Sequence, residues 1–93
     1  MSAGQITPGR RRTEVDSECH LPPDPQPGDY WFDVGRWWCM TPSNFIGNLS
    51  LHTVTEHDDG TITVSPSILV TEQIGGVERM WHGYLERGIW REV

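Results

Sequence analysis

Residues 29–93, the body of this chain, contain one Cys and three His side chains that are candidate metal ligands, namely Cys39, His52, His57 and His82. Zinc takes four Cys, His or carboxylate ligands in a structural site, and three ligands plus a water molecule in a catalytic site. Side chains alternate between the two faces of a strand, so His52 and His57 cannot both bind one ion from a regular strand. The remaining three residues define one hypothesis, a zinc-binding protein or hydrolytic metalloenzyme that uses Cys39, His52 and His82.

The same three residues have a simpler interpretation. Cys39 lies between Trp38 and Met40, where a thiol packs as a small hydrophobic group. His52 and His82 then lie at the edge of the core with ordinary hydrogen-bond partners. The sequence contains neither a Cys-x-x-Cys nor a His-Glu-x-x-His pattern. We therefore expect no cofactor and no stoichiometric zinc, and we assign no catalytic residue.

Aromatic residues suggest a different activity. All nine Phe, Trp and Tyr residues follow residue 28, and five of them are Trp. A body this short cannot hide all of them, and Trp and Tyr are enriched where proteins bind one another. The sequence therefore predicts a partner-binding surface formed by Trp31, Trp37, Trp81, Tyr84 and Trp90. Its partner would be a host or phage protein, or a second copy of the chain.

Composition excludes several other classes of partner. The 93 residues include seven Arg and no Lys against thirteen Asp and Glu, for a formal net charge of -6. A general nucleic-acid binder needs a basic face, and so does a protein that docks on anionic lipid. No apolar run approaches the roughly 20 residues of a membrane-spanning helix, and no apolar stretch follows Arg10–Arg12 as in a signal peptide. We expect a cytoplasmic protein with free thiols, that binds neither nucleic acid nor membrane.

The chain divides near residue 28 into two parts of different composition. Residues 1–28 contain five of the seven prolines and few apolar residues, which predicts a disordered arm with a stiff Pro-rich spacer. Deletion of this arm should leave stability unchanged. Residues 29–93 consist of short β-branched and aromatic runs between glycines and prolines, which indicates a single all-β domain. We expect a small antiparallel meander, a sandwich or a partly open barrel.

Two hairpins can be given a register. At Asp58–Gly60, a three-residue loop with Gly60 at positive φ places Val54 opposite Val64. At Glu86–Gly88, the same geometry with Gly88 at positive φ places Leu85 opposite Ile89 and His82 opposite Glu92. In that second register Trp90 lies on the same face as His82 and Tyr84, and on the other face from Trp81.

Several segments of the body resemble a family of small bacteriophage and prophage proteins. The resemblance rests, in chain order, on Pro27–Phe32, Gly47–Leu49, His52–Val54, Glu56–Ile68 and Trp81–Trp90. Members of that family are often labelled ammonia monooxygenase, which is a copper-dependent membrane complex. A 93-residue chain with no membrane-spanning run does not fit that label.

The family is itself similar to a domain of unknown function in bacterial ubiquitin-like gene clusters. Those relatives carry Cys and His residues suggestive of zinc, and Cys39 and His82 are the corresponding residues here. Their Cys-x-Cys arrangement is absent from this sequence. The resemblance implies a phage accessory protein in the cytoplasm of a bacterial host, or a minor structural protein of the virion.

Overall fold

The computed structural model describes residues 5–93 and places their strands in two sheets. Nine strands follow one another in this described part of the chain, and they are β1 Ile6–Pro8, β2 Arg10–Arg11, β3 Asp29–Asp33, β4 Arg36–Met40, β5 Ile46–Asn48, β6 Thr53–Glu56, β7 Ile62–Ile74, β8 Val77–Glu86 and β9 Ile89–Glu92. One sheet has the order β1-β9-β8-β7-β6 and the other the order β2-β3-β4-β5. The predicted all-β class is confirmed, as a two-sheet arrangement that contains two meanders and does not close into a barrel. The described residues contain no helix that could cross a membrane.

The core lies between the two sheets. Tyr30 and Cys39 contribute to it from the four-stranded sheet, and the larger sheet contributes buried side chains that include Ile68, Trp81 and Trp90. The rings of Trp81 and Trp90 meet edge to face, with centroids 5.3 Å apart. Aromatic pairs in this geometry bury a large apolar area, which is how so short a chain obtains a core.

The β6–β7 hairpin has the predicted register. Val54 lies opposite Val64, Glu56 lies opposite Ile62, and Gly60 has a φ of +88°. The pairing is set by Asp58–Gly60 and by the inward-facing Val54, Val64 and Ile62, since a slip of one residue would place Val54 on the opposite face from Val64 and Ile62.

The predicted register of the β8–β9 hairpin is wrong by one residue. Its loop is the two-residue turn Arg87–Gly88, in which both residues have positive φ, +47° and +76°. This turn matches the twist of the flanking strands and pairs Glu86 with Ile89 and Leu85 with Trp90. Trp90 therefore shares the inner face with Leu85 and Trp81, and His82 is not opposite Glu92.

Residues 5–12 differ from the disordered arm that the composition predicts. Ile6–Pro8 pairs antiparallel with β9, and Arg10–Arg11 pairs parallel with β3, so one short stretch adds an edge strand to each sheet. The composition of the segment did not reveal this pairing, because its strands form by hydrogen bonding to β3 and β9 and need few apolar side chains of their own. Residues 1–4 of the predicted arm lie outside the described residues.

The rest of the N-terminal segment, residues 12–28, lies along the outer face of the four-stranded sheet. Asp29, Trp31 and Asp33 share that face because side chains alternate along β3. Asp29 binds Arg12 and the N–H of Gln26, and Asp33 binds the His20 ring at 2.8 Å. Trp31 lies between these two anchor points and is fully buried. We conclude that the segment covers this face.

Candidate functional site: an aromatic groove at the open side of the sandwich

The three predicted zinc ligands do not form one site. Cys39 is completely buried in the core, and this burial raises the pKa of its thiol to about 12, although a hydrogen bond from the Gly47 backbone acts in the opposite direction. A zinc ligand must be a thiolate, so this environment opposes metal binding. Within residues 5–93, no group of three or more His, Cys, Asp or Glu side chains could hold a metal ion.

His52 and His82 both contact Ser67, but from different directions. The Nε2 atom of His52 lies 3.2 Å from the Ser67 carbonyl oxygen, and that of His82 lies 2.9 Å from the Ser67 hydroxyl. His82 is opposite Leu69 on the outward face of the larger sheet. His52 instead borders a depression beside Trp37. Each histidine thus has a local hydrogen-bond partner, as the simpler interpretation of the sequence expects.

The predicted partner-binding residues are divided between core and surface. Trp31, Trp81 and Trp90 are buried, so the prediction that they form an exposed surface is wrong. Trp81 and Trp90 face the inside of the sandwich, and Trp31 lies under the N-terminal segment. Tyr84 is 38% exposed on the outward face of the larger sheet, where Arg91 stacks on its ring. Trp37 is half-buried and borders an open depression.

That depression is the strongest candidate site, and we call it the aromatic groove. It has a volume of about 300 Å³ and is lined by Phe32, Gly35, Arg36, Trp37, Leu49, Ser50, His52 and Val54. Phe32 and Trp37 lie opposite one another on β3 and β4, on the same face as the buried Tyr30 and Cys39. The groove therefore continues the interior of the sandwich to its open side.

Phe32 and Trp37 form the wall of the groove on the side of the four-stranded sheet. The ring of Phe32 meets that of Trp37 nearly edge to face, with 5.3 Å between centroids, and Phe32 is 51% exposed. The sequence did not single out Phe32, although its alternation with Tyr30 was visible. The alternation places Phe32 and Tyr30 on one face of β3. It cannot show that the larger sheet covers Tyr30 and leaves Phe32 half exposed.

An arginine holds the two sheets together beside the groove. The Arg11 guanidinium lies 5.0 Å from the Trp37 ring centroid, and its Nη1 donates hydrogen bonds to the Glu56 carboxylate and the Gly60 carbonyl. Arg11 thus fixes the Trp37 ring relative to β6. Arg36 borders the groove, and no ion pair involving it occurs within residues 5–93.

A larger depression lies elsewhere, but its lining argues against a specific site. It is formed entirely by the N-terminal segment between Thr13 and Pro25. No aromatic side chain contributes to it, and neither sheet supplies a wall. The aromatic groove, in contrast, is formed by side chains held on paired strands, which is how binding sites are kept in a fixed geometry.

No family model, no curated protein and no solved structure matches the chain. The geometry of the aromatic groove and the residues that line it are therefore the guide to function.

Proposed function

We propose that this chain is a non-enzymatic protein that binds another protein through the aromatic groove. The observation that carries the proposal is the half-exposed ring of Phe32, held against Trp37 at the open side of the sandwich. The exposed half of the Phe32 ring forgoes the free energy that its burial would give, so the arrangement favours a partner that covers it. Aromatic anchors in fixed positions are typical of interface hot spots.

The polar groups of the described residues favour a binding function over nucleophilic catalysis. A nucleophile needs a base within hydrogen-bond reach and a third group that orients the base. Ser67 and His82 form such a pair at 2.9 Å, but the described residues supply no carboxylate bonded to the His82 ring. The groove itself is lined by apolar residues, one Arg, one Ser and one His.

The biological setting of the proposal comes from the resemblance of the body to small phage proteins. On that basis we place the protein among phage accessory proteins, acting in the cytoplasm of the bacterial host on a host or phage protein. A minor virion protein is the alternative setting. Either role requires contact with another protein, so the aromatic groove would serve in both settings.

A quantitative pull-down tests the proposal. Tagged wild-type protein and the Phe32→Ala variant are incubated with lysate of phage-infected host cells, and captured proteins are quantified by mass spectrometry. Leu69→Ala is the matched control, because Leu69 is similarly exposed, at 56%, on the outward face of the larger sheet. We expect at least one protein to be captured by wild type and Leu69→Ala but lost with Phe32→Ala. Equal capture by all three would overturn the proposal.

A further inference from the structure

Strand β6 lies at the edge of the larger sheet and borders the aromatic groove through Val54. In the part of the chain that the structure describes, no strand pairs with its other side. An edge strand presents unpaired N–H and C=O groups, and a partner in extended conformation can bind to them. Whether those groups are free therefore determines what kind of partner fits the groove.

The hydrogen-bond pattern identifies which backbone groups point outward. His57 donates its N–H to Thr61 O at 2.8 Å, so this pair is hydrogen-bonded across the hairpin. Bonded and non-bonded pairs alternate in an antiparallel ladder, so the pairs of Val54 with Val64 and of Glu56 with Ile62 are non-bonded.

The hydrogen bonds on the other side of β7 show the same alternation. Ile62 O accepts from the Gly88 N–H at 3.0 Å, which shows that the Ile62 groups point toward β8 and β9, away from β6. The N–H and C=O of Val54 and Glu56 consequently point away from β7, toward the open edge. Among residues 5–93 no hydrogen bond to these backbone groups is found.

An extended chain beside β6 would also contact the groove. Val54 lies on the inward side of β6, opposite Val64 in the core. A strand added next to β6 would direct every second side chain to the same side, toward Phe32 and Trp37. Among the described residues that line this space, Arg36 is the one guanidinium, a group that binds carboxylates.

From this geometry we infer that the occupant of the groove is an extended peptide segment of the partner, bound as an additional strand on β6. Its alternate side chains are apolar and contact Phe32 and Trp37, and a carboxylate lies near Arg36. The inference rests on the proposed function and specifies the partner's chemistry. Main-chain hydrogen bonds from Val54 and Glu56 hold the segment, while the aromatic groove selects its side chains.

A random dodecapeptide library displayed on phage provides the probe. Peptides enriched on the wild-type protein are synthesised, and their affinities are measured for wild type, Phe32→Ala, Val54→Pro and Val54→Ala. Proline removes the outward N–H of Val54, which the sheet does not use, and proline is tolerated on edge strands in that orientation. Alanine is the matched control, since it shortens the side chain but keeps the N–H.

We expect Val54→Pro to weaken binding about tenfold relative to Val54→Ala, because it removes one main-chain hydrogen bond and leaves the peptide carbonyl that would accept it unpaired. We also expect enriched peptides to alternate apolar residues and to carry Asp or Glu. In an added strand, every second N–H of the peptide faces β6. Methylation of those nitrogens should abolish binding, and methylation of the nitrogens between them should not. This measurement does not depend on how any protein variant folds.

The outcomes separate the inference from the proposed function. Peptides that are lost with Phe32→Ala but bind Val54→Pro as well as Val54→Ala would overturn strand addition and leave the groove as the binding site. Peptides that bind all variants equally, or a selection with no enrichment, would overturn both. Slower hydrogen exchange at the Val54 and Glu56 amides upon peptide binding would support the inference directly.

Discussion

The carboxylate of Asp29 accepts a hydrogen bond from Arg12 Nη1 at 2.9 Å, and this contact joins the N-terminal segment to the first strand of the body. Arg10 donates to both carboxylate oxygens, at 3.2 and 3.3 Å, and the Gln26 N–H donates a further hydrogen bond. Asp29 itself is 1% exposed. A carboxylate this buried is stable only while these partners are in place.

Asp29 should make the stability of the protein sensitive to acid. Burial alone would raise its pKa, but the bonds from Arg10, Gln26 and Arg12 outweigh it and hold the pKa below the ordinary value of 3.8. A lowered folded-state pKa gives stability that is present above about pH 4 and is lost as pH falls through the folded value. We expect Asp29→Asn to lower the free energy of unfolding at pH 7 by about 2 kcal/mol. Urea unfolding at pH 7 and pH 3 should show a smaller acid effect in Asp29→Asn than in wild type; equal acid effects would contradict this.

Deletion of residues 1–26 should destabilise the protein strongly, contrary to the expectation from composition. It removes β1, β2 and the cover over Trp31. About 1 kcal/mol shifts the thermal midpoint of a domain this small by roughly 4–8 °C, and the loss here exceeds that. Circular dichroism melts of the full chain and the deletion compare the two midpoints. An unchanged midpoint would mean that the segment does not pack on the sheet.

Gly88 and Gly76 form a matched pair for testing turn geometry. Both have positive φ in two-residue turns, at +76° and +80°. A Cβ at Gly88 would lie 2.9 Å from Tyr30 Oη and 3.0 Å from Thr61 Cγ2, whereas at Gly76 nothing lies within 4 Å. We expect Gly76→Ala to cost about 1 kcal/mol from backbone strain alone, and Gly88→Ala to cost about 1–3 kcal/mol more because of crowding. Chemical denaturation measures both, and similar losses would argue against the close packing of the Arg87–Gly88 turn on Tyr30.

The two thiols should differ in reactivity. Cys19 is exposed, while Cys39 is buried and its pKa is raised to about 12, so at pH 8 it has almost no thiolate. Because the thiolate is the reactive form, a thiol reagent such as Ellman's should titrate one cysteine per folded chain. The second should react only after denaturation. The Cys19→Ser variant is the control and should show none in the folded state; rapid reaction of two thiols in native wild type would be inconsistent with the buried position of Cys39.

Zinc content remains a prediction that elemental analysis can check. We expect less than one zinc per chain in protein purified without chelator, because Cys39, His52 and His82 do not converge and Cys39 holds its proton. One zinc per chain, lost on chelation together with the folded structure, would contradict this expectation. His82→Ala would then be the variant with which to locate the ion.

The two hairpins show how far sequence reasoning reaches. The β6–β7 register was predictable because Asp58–Gly60 and the inward pair Val54 and Val64 indicate the same alignment. In the β8–β9 hairpin both faces carry large apolar residues, so the pattern does not distinguish a two-residue loop from a three-residue loop. The structure selects the shorter turn, which lets Trp90 pack against Trp81 and donate its Nε1–H to Gly28 O at 2.9 Å.

The candidate site was predictable only in part. Aromatic density singled out Trp37, which borders the groove. The burial of Trp31, in contrast, depends on the segment whose Arg12 and His20 bind Asp29 and Asp33. No local pattern shows such cover. The groove likewise depends on where the larger sheet ends relative to Phe32, which is a property of the assembled sandwich.

The pairing of Ile6–Pro8 with Ile89–Glu92 has a consequence for biosynthesis. β1 is the first described strand to be translated and its partner β9 is the last, so this pair cannot form until Ile89–Glu92 have left the ribosome. Contacts between residues so distant in sequence also form slowly, because a long loop must close first. Until Ile89–Glu92 emerge, β8 therefore lacks its β9 neighbour, Trp81 lacks the Trp90 ring that packs on it, and the N-terminal strand β1 has no partner.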